Sequence, residues 1–264
     1  MKKSLRSRWA VISRDIVLSC RDARWGLGLG ALLFIAAAMA YQTSLGPAAD
    51  MQSIPALSDH IMFAFAGNHP LLHGSGVPFT LPVTWFVLIF FCVHSCALFP
   101  YRMMRGMGTS RLLQAGSRLD WWGRLTFLVV FWCAAYLLAG LLCMAALRAV
   151  RYGVCQIGAV PVNLIGTVFL TLCVLAELQA VCSALASPLA GELMNTVLMI
   201  CAAFWDHPAL WPRYSMLLRS SAAGPEGFSP AGASAYLIGS FVAVSGIGAV
   251  LFEKRNILSH DKGR

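Results

Sequence analysis

Six long apolar runs, nearly free of charge, constrain this chain more than any other feature: 25–42, 82–99, 125–150, 162–186, 189–205 and 233–252. A bilayer core takes about 20 apolar residues per helix, so the runs read as membrane spans, the fifth being the shortest. Backbone polar groups in lipid must be satisfied within the segment, which makes each run a helix. The wider composition agrees, with 58% hydrophobic residues and only 12% charged. A soluble domain would be about a quarter charged. The net charge of +9 does not mark a nucleic-acid partner, because the basic residues fall between apolar runs rather than on a folded soluble face.

Basic residues also orient the chain. Lys2, Lys3, Arg6, Arg8, Arg14, Arg21 and Arg24 precede the first run, and none lies in 43–81. Arg102, Arg105, Arg111, Arg118 and Arg124 fill the next connection. The later connections carry Arg148 and Arg151, then none, then Arg213 and Arg219, and four more close the tail. Placing both termini in the cytoplasm puts sixteen of the 20 lysines and arginines inside. Residues 1–24 have apolar Leu5, Trp9, Ile12 and Ile16 at helical spacing among arginines. They read as an interfacial elbow helix, followed by a bundle over 25–252 and a cytoplasmic tail over 253–264. Residues 51–81 and 206–232 are apolar but broken by Pro and Gly, which suits outer segments that re-enter the membrane.

Most chemical motifs are missing or displaced. There is no GxxxxGK[ST], so no P-loop holds a nucleotide. Gly26, Gly28 and Gly30 lie in a span with no preceding strand, where close helix packing is expected. The nine cysteines contain no CxxC and read as packing residues. Cys92 and Cys96 share a helix face from which His94 points away, so no metal set is expected there. His60, His69 and His73 share one outer segment and read as interfacial histidines, with metal capture the alternative. Ser234 sits in a Gly-Ala-Ser-Ala sequence similar to the motif of intramembrane serine proteases, but lacks a placed histidine base. Glu177 is the one carboxylate well inside a span. Either it contacts a translocation path or it makes an interhelical hydrogen bond, helped by Gln179. Glu192 follows Ser187-Pro188, which reads as an N-cap and a first-turn proline, and so has a structural place near a positive helix end.

The connection 99–125, FPYRMMRGMGTSRLLQAGSRLDWWGRL, is the informative one. Ser117 and Asp120 fit an S-x-x-D helix start. Asp120 and Arg124 stand at i,i+4 with the acid first. Leu119 and Trp122 fall on one face, Trp121 and Leu125 on another, so one face can meet the bundle and the other a soluble partner. An aromatic anchor flanked by arginines is the competing reading.

This segment, with Gly116, Ser117, Arg118, Trp121 and Trp122 in a G-S-R-x-x-W-W pattern, resembles the connection before the third span of small ABC-2-type transporter permeases. Pro100-Tyr101-Arg102 and the outer Tyr214-Ser-Met216-Leu-Leu-Arg219 also resemble that family. The resemblance implies an all-α, six-span permease subunit of a bacterial cytoplasmic membrane, with an elbow helix and a cytoplasmic coupling helix. It implies two copies of an ATPase subunit that hold ATP and magnesium, a second transmembrane subunit, and export of a peptide or amphipathic compound. The coupling surface would comprise Gly116, Ser117, Arg118, Leu119, Asp120, Trp121, Trp122 and Arg124, with no cofactor or metal on this chain. An intramembrane hydrolase using Ser234 and a membrane scaffold or sensor without ATP linkage remain as alternatives.

Overall fold

The computed structural model describes the backbone of residues 2–45, 55–68, 81–115, 117–153 and 162–254. Seven α-helices run in the order α1 (Lys2–Ser44), α2 (Leu57–Ala64), α3 (Val83–Ala115), α4 (Arg118–Tyr152), α5 (Val162–Leu185), α6 (Pro188–Phe204) and α7 (Pro230–Lys254). Two short 3₁₀ helices, Trp211–Ser215 and Leu217–Arg219, lie between α6 and α7. No strand is present among the described residues. Ser220 and Phe228 form an isolated bridge.

Among the described residues, five segments are long and apolar enough to cross a membrane: Arg24–Ser44, Val83–Tyr101, Arg118–Tyr152, Val162–Leu185 and Pro230–Lys254. The chain is an all-α protein of membrane type. The expected fifth span is the shorter apolar helix α6, of 17 residues. At 1.5 Å per residue it reaches roughly 25 Å, less than a full hydrocarbon thickness.

Two expected boundaries differ. The elbow and the first span are one helix, since α1 continues unbroken for 43 residues. The connection after the second span is largely an extension of α3, which passes through Pro100 and ends only at Ala115. A proline removes one ladder hydrogen bond, and here the helix continues past that loss. The expected separate coupling helix is therefore the tip of a hairpin between α3 and α4. Ser117 caps α4, its side chain accepting from the Asp120 N–H at 3.0 Å. Gly153 closes the other end of α4 in the left-handed conformation, φ 70°. Ser187 caps α6 in the same way, accepting from Ala190 N–H at 3.2 Å, with Pro188 in the first turn as its sequence implies.

Helix α5 is the central post. Every residue from Thr171 to Val181 is buried, and α3, α4, α6, α7 and the first 3₁₀ helix all pack on it. A helix apolar on all sides belongs in such a place. Small residues set the closest crossings. Gly30 of α1 lies against the Tyr136 ring of α4, Gly140 of α4 against Phe34 of α1, and Gly248 of α7 against Trp122 and Val181. Of the GxGxG triplet, Gly26 and Gly30 face neighbours and Gly28 faces open space.

Candidate functional site

Two polar regions stand at opposite ends of the bundle. The first is built on the α3–α4 tip and the end of α7. Trp121 and Trp122 are 2% and 3% exposed. Trp121 lies parallel to the Phe252 ring of α7 with centroids 4.7 Å apart, and Trp122 meets the same ring at 5.6 Å. Arg118 donates to the Glu253 carbonyl. Arg124 reaches Asp15 of α1 at 3.7 Å and donates from Nε to the Asp120 carbonyl at 3.3 Å. Leu119 is 55% exposed, and Ser117, Asp120 and Gly123 are exposed with it. The division between the two tryptophans expected from helical spacing is corrected here, because both face inward. Helix α7 packs along α4 where the sequence left one face open. Gly116 lies outside the described residues.

Just inside this tip, three helices meet on Glu177 of α5, which is 0% exposed. The Thr126 hydroxyl of α4 hydrogen-bonds its Oε1 at 2.8 Å. Thr126 and Ser245 of α7 are 3.1 Å apart, and the Trp122 indole N–H donates to Ser245 Oγ at 3.3 Å. Glu177 Oε2 has no hydrogen-bond partner. Gln179, expected to assist, faces the other way. It donates to Ser183 and to the Pro188 carbonyl, and accepts from Asn195 of α6. Sequence spacing could have shown this division, since residues two apart lie on nearly opposite sides of a helix.

At the opposite end, the described parts of the two interrupted segments are stitched together. Leu217 N–H donates to Phe65 O at 2.8 Å and Leu218 N–H to Ala66 O at 3.0 Å. Gly67, at φ 70°, lets the chain turn directly beneath Met216, which is fully buried. Arg219, 1% exposed, is the keystone. Its guanidinium donates to the carbonyls of Asn68, Ala202, Ala203 and Trp205, at distances of 2.7–3.3 Å. Three of those carbonyls terminate α6, where a cation also complements the helix dipole. Asp206 lies 3.5 Å from Arg219 and 3.1 Å from Arg213. Burial pushes the Arg219 pKa down and Asp206 partly restores it. Tyr214 donates to the Pro208 carbonyl at 2.8 Å and packs against Phe228 and Tyr236. Burial raises its phenol above 10.0, with the Arg213 charge opposing. Thus Tyr214, Met216 and Arg219 come together as an internal clamp rather than as an exposed surface.

The histidines divide between packing and pairing. His60 is buried, 3.0 Å from the Ala56 carbonyl and 3.4 Å from Gln42. His69 and His73 lie outside the described residues. His94 turns from the buried Cys92 and Cys96 to Glu192 of α6, 2.9 Å away. That partnership, across a sequence separation of 98, left no local signal. No group of three or more His, Cys, Asp or Glu side chains suits a metal ion among the described residues. Ser234 lies in the first turns of α7, and no histidine hydrogen-bonds it among the described residues.

Comparison with known proteins finds no matching family, no matching curated protein and no matching solved structure.

Proposed function

We propose that the chain is the permease subunit of an ATP-driven transporter of the ABC-2 type, in a bacterial cytoplasmic membrane. It crosses six times, with α6 as the short fifth span and both termini on the cytoplasmic side, as the arginine bias favours. A separate ATPase, in two copies, binds ATP and magnesium. A second transmembrane subunit completes the pathway, and the cargo is a peptide or an amphipathic compound carried outward.

One observation carries this reading: the tip of the α3–α4 hairpin presents Leu119 and Asp120 outward on a turn whose back is locked to α7 through Trp121, Trp122 and Phe252. A braced, capped helix start that turns Leu119 and Asp120 outward is a rigid surface on which a soluble partner can push. In this reading the tryptophans transmit and Leu119 docks. Force on the first turn of α4 passes directly into α7, and rigid-body movement follows.

The test is co-purification with a soluble P-loop ATPase from the native host, using Leu119→Asp and Asp120→Lys. Both substitutions lie on exposed positions and should leave membrane insertion intact while abolishing ATPase recovery. Recovery of no ATPase with the unaltered chain, or full recovery with both variants, would sink the permease reading.

A further inference from the structure

Glu177 has features that an ordinary interhelical hydrogen bond does not require. Its side chain is fully buried, about two turns from the end of α5, and one carboxyl oxygen lacks a donor. Its hydrogen-bond partner is the Thr126 hydroxyl, which in turn meets Ser245. Among the described residues, the charged and titratable groups on the surrounding elements are engaged elsewhere. On α3 and α6, His94 and Glu192 hold each other. On α4, Arg124 holds Asp15, and Asp120 lies exposed nearer the tip. On α7, Glu253 and Lys254 lie two turns beyond Ser245. Arg213 and Tyr214 belong to the opposite end. The cysteines Cys92, Cys96 and Cys133 are free thiols of the apolar core.

A bare carboxylate in this packing would keep its negative charge inside a membrane bundle with one oxygen undonated, which is expensive. A metal ion does not fit, because Glu177 is the one carboxylate beside two neutral hydroxyls, and no group of three or more His, Cys, Asp or Glu side chains stands here among the described residues. A proton does fit. Bound to Oε1, it lets the acid donate to Thr126, Thr126 donate to Ser245, and Ser245 also accept from Trp122. Oε2 is then a neutral carbonyl, the kind of group most readily left under-satisfied in a protein interior.

We propose that Glu177 is a proton-binding site, occupied while α4, α5 and α7 are packed together and emptied when they part. On emptying, the O–H bond breaks heterolytically, the electron pair stays on the carboxylate, and the proton passes to entering water. The site stands on this packing alone, and only its place in a transport cycle rests on the permease reading. Trp122 ties the network to the α3–α4 tip, so loosening the tip would open the path for release.

The experiment uses the full chain in lipid nanodiscs, without any ATPase. Infrared spectroscopy at neutral pH should show the carbonyl band of a protonated carboxylic acid that is absent from Glu177→Gln. Thr126→Val, which keeps the acid but removes its hydrogen-bond partner, should move that band to higher frequency, and it serves also if the glutamine variant does not fold. Unfolding in a denaturing detergent should release a proton more per chain from the unaltered protein than from Glu177→Gln. Identical spectra, a band unmoved by Thr126→Val, or equal proton release would each overturn the proposal. Failure to recover an ATPase would leave these readings untouched, so the two ideas fail separately.

Discussion

Trp121 of α4 and Phe252 of α7 lie ring on ring, 4.7 Å between centroids and 13° between planes, and join the start of one helix to the end of another. Aromatic pairs of this kind contribute about 1 kcal/mol beyond the area they bury. A double-mutant cycle with Trp121→Ala and Phe252→Ala should therefore give a coupling energy of about 1 kcal/mol in unfolding from mild detergent. Strict additivity would mean that the contact carries nothing.

Gly248 permits that joint. A side chain there would overlap Trp122 and Val181. Gly248→Val should destabilise the bundle by about 1–3 kcal/mol through overpacking. It should also shift tryptophan emission to the red, as Trp122 is displaced. An unchanged spectrum and melting point would show that the α4–α7 crossing yields without cost.

Arg219 holds four backbone carbonyls inside the far end. Arg219→Met should cost about 3 kcal/mol or more, since it leaves these carbonyl acceptors unmatched in the interior, while Asp206 keeps Arg213. Arg219→Lys should recover part of the loss, because an ammonium offers fewer donors and no fork. Thermal unfolding of the three proteins side by side ranks them, and a methionine variant as stable as the parent would contradict the clamp.

Tyr214 gives this clamp a dependence on alkaline pH. Its phenol titrates above 10.0 when folded, because burial disfavours the phenolate. A group whose folded pKa is raised stabilises fully below its unfolded value, near 10, and the gain is lost as pH rises through the folded value. The melting temperature should fall over that interval, and Tyr214→Phe should flatten the fall. A variant with the same alkaline slope would assign the effect to another group.

The spans were legible because lipid imposes a length and an apolarity on any helix that crosses it. The caps at Ser117 and Ser187 were legible for a local reason, since each side chain serves an N–H three residues away. The interior was not. Helical spacing placed Trp121 and Trp122 on different faces, but which faces are covered depends on α7, more than 100 residues later. The same holds for His94 with Glu192 and for Arg219 with Asn68. Glu177 was visible as a charge in a greasy segment, while its partners Thr126 and Ser245 looked like any small polar residues in a span.

Helices α1 and α4, packed along their length, are also joined by polar contacts near both ends, Asp15 with Arg124 and Gln42 with Arg151. The two contacts are 27 residues apart along each helix, or roughly 40 Å. Equal spacing means that the pair neither slips nor winds past itself between those points. It is a double rod pinned at both ends. In the proposed permease, a tilt delivered beside Arg124 would reach the Arg151 end, where Pro55 and α2 rest on neighbouring Arg148. In that permease, the far end would then be worked by leverage from the near one.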